Sequence, residues 1–283
     1  MLRDAAERAF VTAFSSPALS RLTGRLADLR LPRPLLRALI AAYARAYRVD
    51  LTEAAQAPSE FATFNAFFTR RLRSGARPLD PRADALLSPC DARLQSRGRV
   101  PDSGRIEQVK GRDYALSALL GSDEDARVFR SGTHATLYLS PAMYHRVHVP
   151  ADGRIVAWRH VPGRLFPVNG PAVRQVDGLF AVNERVIVRL DSERFGALAL
   201  VLVGAANVGR ISLTFDDLRT NTGTPARSLR LDPPLAVRRG DELGAFNLGS
   251  TVVLLAEDAR LEPAGPAVGD IVRLGQALWR STP

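Results

Sequence analysis

One lysine, one cysteine, four histidines and no long apolar run leave this 283-residue chain few routes to chemistry. Cys90 stands alone, so the chain cannot form an internal disulfide or a zinc-type cysteine cluster, and it suits a reducing compartment. Lys110 is the only residue on which a pyridoxal cofactor could form its Schiff base. For amine chemistry, a carbonyl made from the backbone is the more economical expectation. The N-terminal apolar stretch from Ala38 to Ala44 falls far short of the roughly 20 residues that cross a bilayer. Arg3, Asp4, Glu7 and Arg8 interrupt any signal-peptide core. The expected place is the cytoplasm or the cytoplasmic face of the membrane.

What is present is unevenly spread. Residues 1–77 hold 13 Arg against 6 Asp and Glu, a net +7 of the chain's +10. A basic segment with apolar stripes points to an anionic surface, membrane or nucleic acid. Ser16-Pro17 reads as a helix start, with Leu19, Leu22, Leu26 and Leu29 at helical spacing among Arg21, Arg25 and Arg30. After Pro32 and Pro34, a second helix is expected to put Leu35, Leu36, Leu39, Ile40 and Tyr43 on one face. A third is expected after Ser59, carrying Phe61, Phe64, Phe67 and Phe68 and ending in Arg70-Arg71-Leu72-Arg73.

Beyond residue 78 the pattern turns to strands between Gly, Pro and Asp clusters: 133–139, 154–158, 186–190, 198–203, 211–215 and 251–255. No alternation of strand and helix is visible. The expected fold class is α+β, with helices over 1–77 and a mostly β domain over 78–283, a sandwich or distorted barrel. Residues 216–227 read as a mobile loop.

Gly249-Ser250-Thr251 enters the apolar run Val252-Val253-Leu254-Leu255. A residue without Cβ followed by a hydroxyl is what a backbone needs to be bent and attacked by its own side chain, though it is also an ordinary turn. A serine nucleophile needs a base and an orienting group. Tyr144-His145-Arg146-Val147-His148 supplies two of the four histidines, at a spacing that also suits a metal pair or structural roles. Ser88-Pro89-Cys90-Asp91 sets a carboxylate in a turn before a strand, with Cys90 a weak nucleophile candidate. Val203–Gly209 and Arg238–Gly244 are glycine-bearing turns, the second delivering the chain toward Ser250. Ser250 lacks the Gly-x-Ser-x-Gly elbow of serine hydrolases.

Taken in order, several segments resemble the phosphatidylserine decarboxylases: Phe67-Phe68-Thr69-Arg70, Arg77-Pro78-Leu79-Asp80, Ser88 to Asp91, Val109-Lys110-Gly111 with Tyr114-Ala115-Leu116, and Tyr138 to Pro141. Tyr144 to Pro150, Leu165 to Asn169, Asn183 to Arg185, Val203 to Gly209 and Leu248 to Thr251 continue the match, with Ala92 where family members usually have glycine. The resemblance implies that Asp91, His148 and Ser250 form a self-cleavage triad cutting between Gly249 and Ser250, giving a large chain 1–249 and a small chain 250–283. It implies that Ser250 becomes a pyruvoyl group that condenses with the substrate amine, with His145 as acid in decarboxylation. The implied cofactor is that pyruvoyl, with no pyridoxal phosphate and no metal. The implied partners are phosphatidylserine and an anionic membrane surface rather than nucleic acid, and a homodimer is compatible with them. Two other readings remain: a pyruvoyl decarboxylase of a soluble amino acid, and a non-catalytic basic β-domain that binds lipid or nucleic acid.

Overall fold

A computed structural model describes residues 17–109, 112–168, 170–206, 210–247, 250–258 and 260–282, the side chains of 17–19 and Pro171 excepted. Ser16, Lys110, Gly111, Asn169, Asn207 to Gly209, Leu248 and Gly249, all named above, lie outside the described residues. The described helices are α1 (Pro17–Ala27), α2 (Arg33–Tyr47), α3 (Phe64–Phe68), α4 (Leu116–Leu120), α5 (Asp123–Phe129), α6 (Gly170–Gln175) and α7 (Leu179–Val182). The strands are β1 (Ala85–Leu87), β2 (Ala92–Arg99), β3 (Arg105–Val109), β4 (Arg112–Ala115), β5 (Thr133–Leu139), β6 (Arg146–His148), β7 (Gly153–Val161) and β8 (Arg185–Ser192). They continue as β9 (Gly196–Gly204), β10 (Arg210–Leu213), β11 (Arg227–Val237), β12 (Glu242–Asn247), β13 (Ser250–Ala256), β14 (Leu261–Pro263), β15 (Ile271–Val272) and β16 (Ala277–Ser281).

An eight-stranded sheet, in the order β11-β7-β8-β9-β13-β5-β2-β15, is the central layer. Because side chains alternate across a strand, β13 sends Val252 and Leu254 to one face and Val253 and Leu255 to the other. The first face packs with Val147, Ile211, Leu243 and Phe246 of a small sheet ordered β10-β12-β6. The second packs with Ile106 and Tyr114 of the β3-β4 pair and with Leu116, Leu119, Phe129, Leu179 and Phe180 of α4, α5 and α7. Coverage on both faces explains why β9 and β13 are continuously apolar rather than alternating. The α+β expectation holds in its sandwich form, and the sheet does not close into a barrel. On the edge strand β11, Pro233 and Pro234 withhold two N–H groups from further pairing.

The N-terminal helices depart from expectation in which faces they bury. Leu22, Leu26 and Leu29 all lie exposed, whereas Ser20 and Ala27 face inward. In α2, Leu36, Ile40 and Ala44 are buried, yet Leu35 and Leu39 are exposed, so the expected single stripe divides between core and solvent. The third helix is much shorter than expected, opening on a Thr63 cap that accepts the Ala66 N–H at 3.0 Å. Arg71 and Arg73 instead run extended beside residues 53–55, with Ala55 N–H donating to Arg71 O at 2.9 Å and Arg73 N–H to Glu53 O at 2.8 Å. The phenylalanines form an aromatic cluster with Tyr43, Phe64 lying edge-on at 5.1 Å between ring centroids. Residues 216–226 are tied down: Thr220 Oγ1 accepts the Ile211 N–H at 2.9 Å, and Glu184 Oε1 accepts the Asn221 N–H at 3.1 Å.

Candidate active site

Ser250 opens β13, paired with Leu139 of β5 and Gly204 of β9. Its parity with Val252 and Leu254 turns it toward the small sheet that carries His148. It is 0% exposed, and its Oγ has no hydrogen-bond partner among the described residues. A buried hydroxyl without a partner is costly and uncommon, and it calls for a functional account.

His145 and His148 leave the Ser140-Pro141 turn, which closes with Met143 N–H donating to Ser140 O at 3.0 Å. His145 is fully buried, with its ring against Phe68 at 4.1 Å between centroids. Phe246 N–H donates to its carbonyl at 2.9 Å, tying it to the strand that leads to Ser250. Its Nδ1–H donates to Met143 O at 2.8 Å, which leaves Nε2 as a bare, buried acceptor. Burial pushes its pKa down to about 3, so the ring is neutral at pH 7. Arg70, buried and without a carboxylate partner among the described residues, adds its charge to the same effect.

His148 is held differently. Its Nδ1–H donates to Gly240 O at 2.8 Å, and its Nε2 accepts from the Tyr144 hydroxyl at 3.1 Å. Burial lowers its pKa below the ordinary histidine value, and burial likewise pushes the Tyr144 phenol up to about 12, keeping that proton in place. Gly240 itself has φ +88°, and a Cβ there would come within 2.7 Å of Leu79, so no other residue presents this carbonyl without strain.

Asp91 sits in the turn before β2, as expected. It is clamped by Arg77, with Nε–Oδ1 at 2.9 Å and Nη2–Oδ2 at 2.6 Å, and by Leu274 N–H at 2.9 Å. Arg77 also grips Glu53, at 2.9 and 2.6 Å. Although burial works against the charged guanidinium, its hydrogen bonds to the two carboxylates hold it above its ordinary pKa. The Asp91 turn is joined to His148 through backbone, His148 N–H donating to Pro89 O at 2.7 Å. Asp91 and His148 share no hydrogen bond, and the carboxylate acts on the ring through its charge, favouring protonation. Burial pushes the Cys90 thiol well up, which makes it a poor nucleophile. No three His, Cys, Asp or Glu side chains gather as a metal site among the described residues.

Comparison with known proteins identifies the family. A family model described as phosphatidylserine decarboxylase matches residues 64–280. The chain belongs to this family. A phosphatidylserine decarboxylase proenzyme of Anaeromyxobacter sp. (strain K) is 44% identical over 280 residues, covering 96% of this chain and 98% of the relative. Proenzymes bearing the same name in Myxococcus xanthus and Bordetella pertussis are 41% and 45% identical, each over 92% of this chain, covering 93% and 89% of their own lengths. The sequence reading missed Tyr144, Gly240 and Phe68 as partners of the two histidines, and Arg77 as the clamp on Asp91. Arg77 lay inside a quoted motif, but its bidentate grip crosses 14 residues of chain and leaves no spacing signal.

The neutral histidines give the fold a pH dependence of definite sign. Burial pushes His134 on β5 down to about 4, with Nδ1 buried and unpartnered. Its folded pKa lies below the unfolded value near 6.5, so the unfolded chain binds more protons in between. The stabilising contribution is complete above pH 6.5 and is lost as pH falls toward 4, on the order of 3 kcal/mol by the pKa gap. Denaturant unfolding at pH 7 and pH 4.5 should show a shallower acid loss for His134→Gln than for the parent.

Proposed function

We propose that this chain is a phosphatidylserine decarboxylase that cuts itself between Gly249 and Ser250 and then removes carbon dioxide from phosphatidylserine to leave phosphatidylethanolamine. The observation that carries the proposal is Ser250 Oγ: a buried hydroxyl at the start of a central strand, without a partner among the described residues and facing the sheet that bears His148.

In the first stage His148 Nε2, an acceptor by virtue of its Nδ1–H bond to Gly240 O, takes the Ser250 proton in place of the one it accepts from Tyr144. Asp91 favours the resulting imidazolium by its charge, without a hydrogen bond to the ring. Ser250 Oγ adds to the Gly249 carbonyl, the peptide C–N bond breaks, and an ester forms with a free Ser250 amine. Loss of the Ser250 Cα proton then expels the carboxylate that ends chain 1–249. Hydrolysis of the remaining enamine releases ammonia and leaves a pyruvoyl group at residue 250. The small chain stays in place because β13 is laddered to β5 and β9, and β15 and β16 to β2 and β1.

The pyruvoyl carbonyl supplies the electron sink for loss of carbon dioxide. The Ser250 Oγ and His145 Nε2 fit such a group, since both are buried polar atoms without a hydrogen-bond partner among the described residues. His145, neutral and open at Nε2, accepts the proton that the substrate ammonium must shed before it can react. It returns that proton to the substrate carbon after carbon dioxide departs.

Residues 1–77 bring the site to the lipid from the cytoplasmic side. Leu22, Leu26, Leu29, Leu35 and Leu39 form an exposed apolar ridge flanked by Arg21, Arg25, Arg30, Arg33 and Arg37. No helix among the described residues is long and apolar enough to cross a membrane. This ridge favours a lipid substrate over a soluble amino acid. Changing Leu22, Leu26 and Leu29 together to Ser should lower partitioning onto phosphatidylserine vesicles by about tenfold or more in a flotation assay, given the apolar area removed. Unchanged flotation would remove the membrane role of this ridge.

A further inference from the structure

The proposed reaction needs a place for the substrate's phosphodiester, and the structure contains a cavity with suitable chemistry. It occupies about 130 Å³ beneath α1, lined by Arg21, Arg25, Asn65, Arg210, Asn221 and Asn247 among others, with no carboxylate among the described residues of its wall and Asp28 behind it, bonded to Asn65 and Arg210. That volume suits a small charged headgroup and excludes acyl chains.

Two independent neighbours place it beside the reaction centre. Asn247 pairs with Arg210 across β12 and β10 and lies three residues before Ser250, at most about 10 Å along an extended chain. Asn65 lies one helical turn before Phe68, whose ring rests on His145. A phosphoserine headgroup separates its amine from its phosphorus by only a few bonds, so one end can reach residue 250 while the other sits in this cavity.

The polar groups match that headgroup. Arg21 and Arg25, one turn apart on α1, have no carboxylate partner among the described residues. Arg210 donates to Asp28 through Nη1 at 2.7 Å, and its Nη2 lies 4.0 Å from the Cβ position of Gly24. Asn65 donates to Asp28 through Nδ2, and its Oδ1 is buried without a partner among the described residues. Adjacent to Arg21 and Arg25 on the same helix, Leu22 and Leu26 are exposed, so a lipid seated there keeps its chains in the apolar layer.

We infer that this cavity is the phosphate subsite for the lipid headgroup, with Arg21, Arg25 and Arg210 as its cationic wall. The inference rests on the decarboxylase reading above. Its test uses the full-length, self-processed enzyme and short-chain phosphatidylserine below its micelle-forming concentration, so that no lipid surface contributes. The Arg21→Gln/Arg25→Gln variant should still yield two chains, with KM raised at least about tenfold and kcat within about twofold of the parent, as expected for losing charge-assisted phosphate contacts. Arg25→Lys in place of Arg25→Gln should recover part of that loss, because it keeps the charge without the fork. Glycerophosphoserine should compete with substrate for the parent and about tenfold less well for the double variant. A KM unchanged on the soluble substrate overturns the assignment, including where activity on vesicles falls, which would give these arginines to the membrane surface alone. A parent enzyme that releases no carbon dioxide from either substrate instead refutes the decarboxylase reading.

Discussion

Ser250→Ala remains one polypeptide of 283 residues and releases no carbon dioxide from phosphatidylserine, while the parent runs as two chains on a denaturing gel. The effect is close to total because one atom is needed twice. Without Oγ nothing in the site can add to the Gly249 carbonyl, and without cleavage no ketone forms at residue 250. The substitution is also gentle to the fold. Ser250 Oγ makes no hydrogen bond among the described residues, so its removal sacrifices none and relieves a buried unsatisfied group. Thermal unfolding of the variant should therefore stay within a few degrees of the uncleaved parent, about what a 1 kcal/mol change produces at this size. A two-chain product from Ser250→Ala would end the self-processing account.

His145→Ala separates the two stages. It should cleave as the parent does, since the proposal gives that step to His148, yet decarboxylate about a hundred- to ten-thousand-fold more slowly, the usual range for a lost acid–base group. Alanine leaves space against Phe68, so His145→Asn is the companion variant, with an amide that can keep the donor to the Met143 carbonyl. Single-turnover carbon dioxide release on cleaved enzyme measures the second stage alone. Parent-like rates from both variants would remove His145 from the chemistry. Failure of both to cleave would move it into the first stage.

The strand framework was legible because each core strand carries its own apolar run. The run at 133–139 coincides with β5, and the run at 251–255 lies inside β13. β11 was not legible, since its side chains are largely exposed and its prolines break the pattern. In the N-terminal segment, helical spacing marked α1 and α2 but not which face would be covered, because that depends on what lies beneath them. Leu35 and Leu36 are neighbours in sequence with opposite fates. At the site, residue type and resemblance were enough to nominate Asp91, His145, His148 and Ser250, while the contacts that surround them come from distant chain. Gly240 O lies 92 residues from His148, and Leu274 N lies 183 from Asp91.

The most direct test is the intact mass of the small chain from the purified, processed protein. The account predicts a chain of residues 250–283 whose first residue is pyruvoyl, lighter than the same chain beginning with serine by the mass of one ammonia. It should regain mass on reduction with borohydride, as a ketone does. A fragment that begins with unmodified Ser250, or a chain that remains whole, contradicts the account.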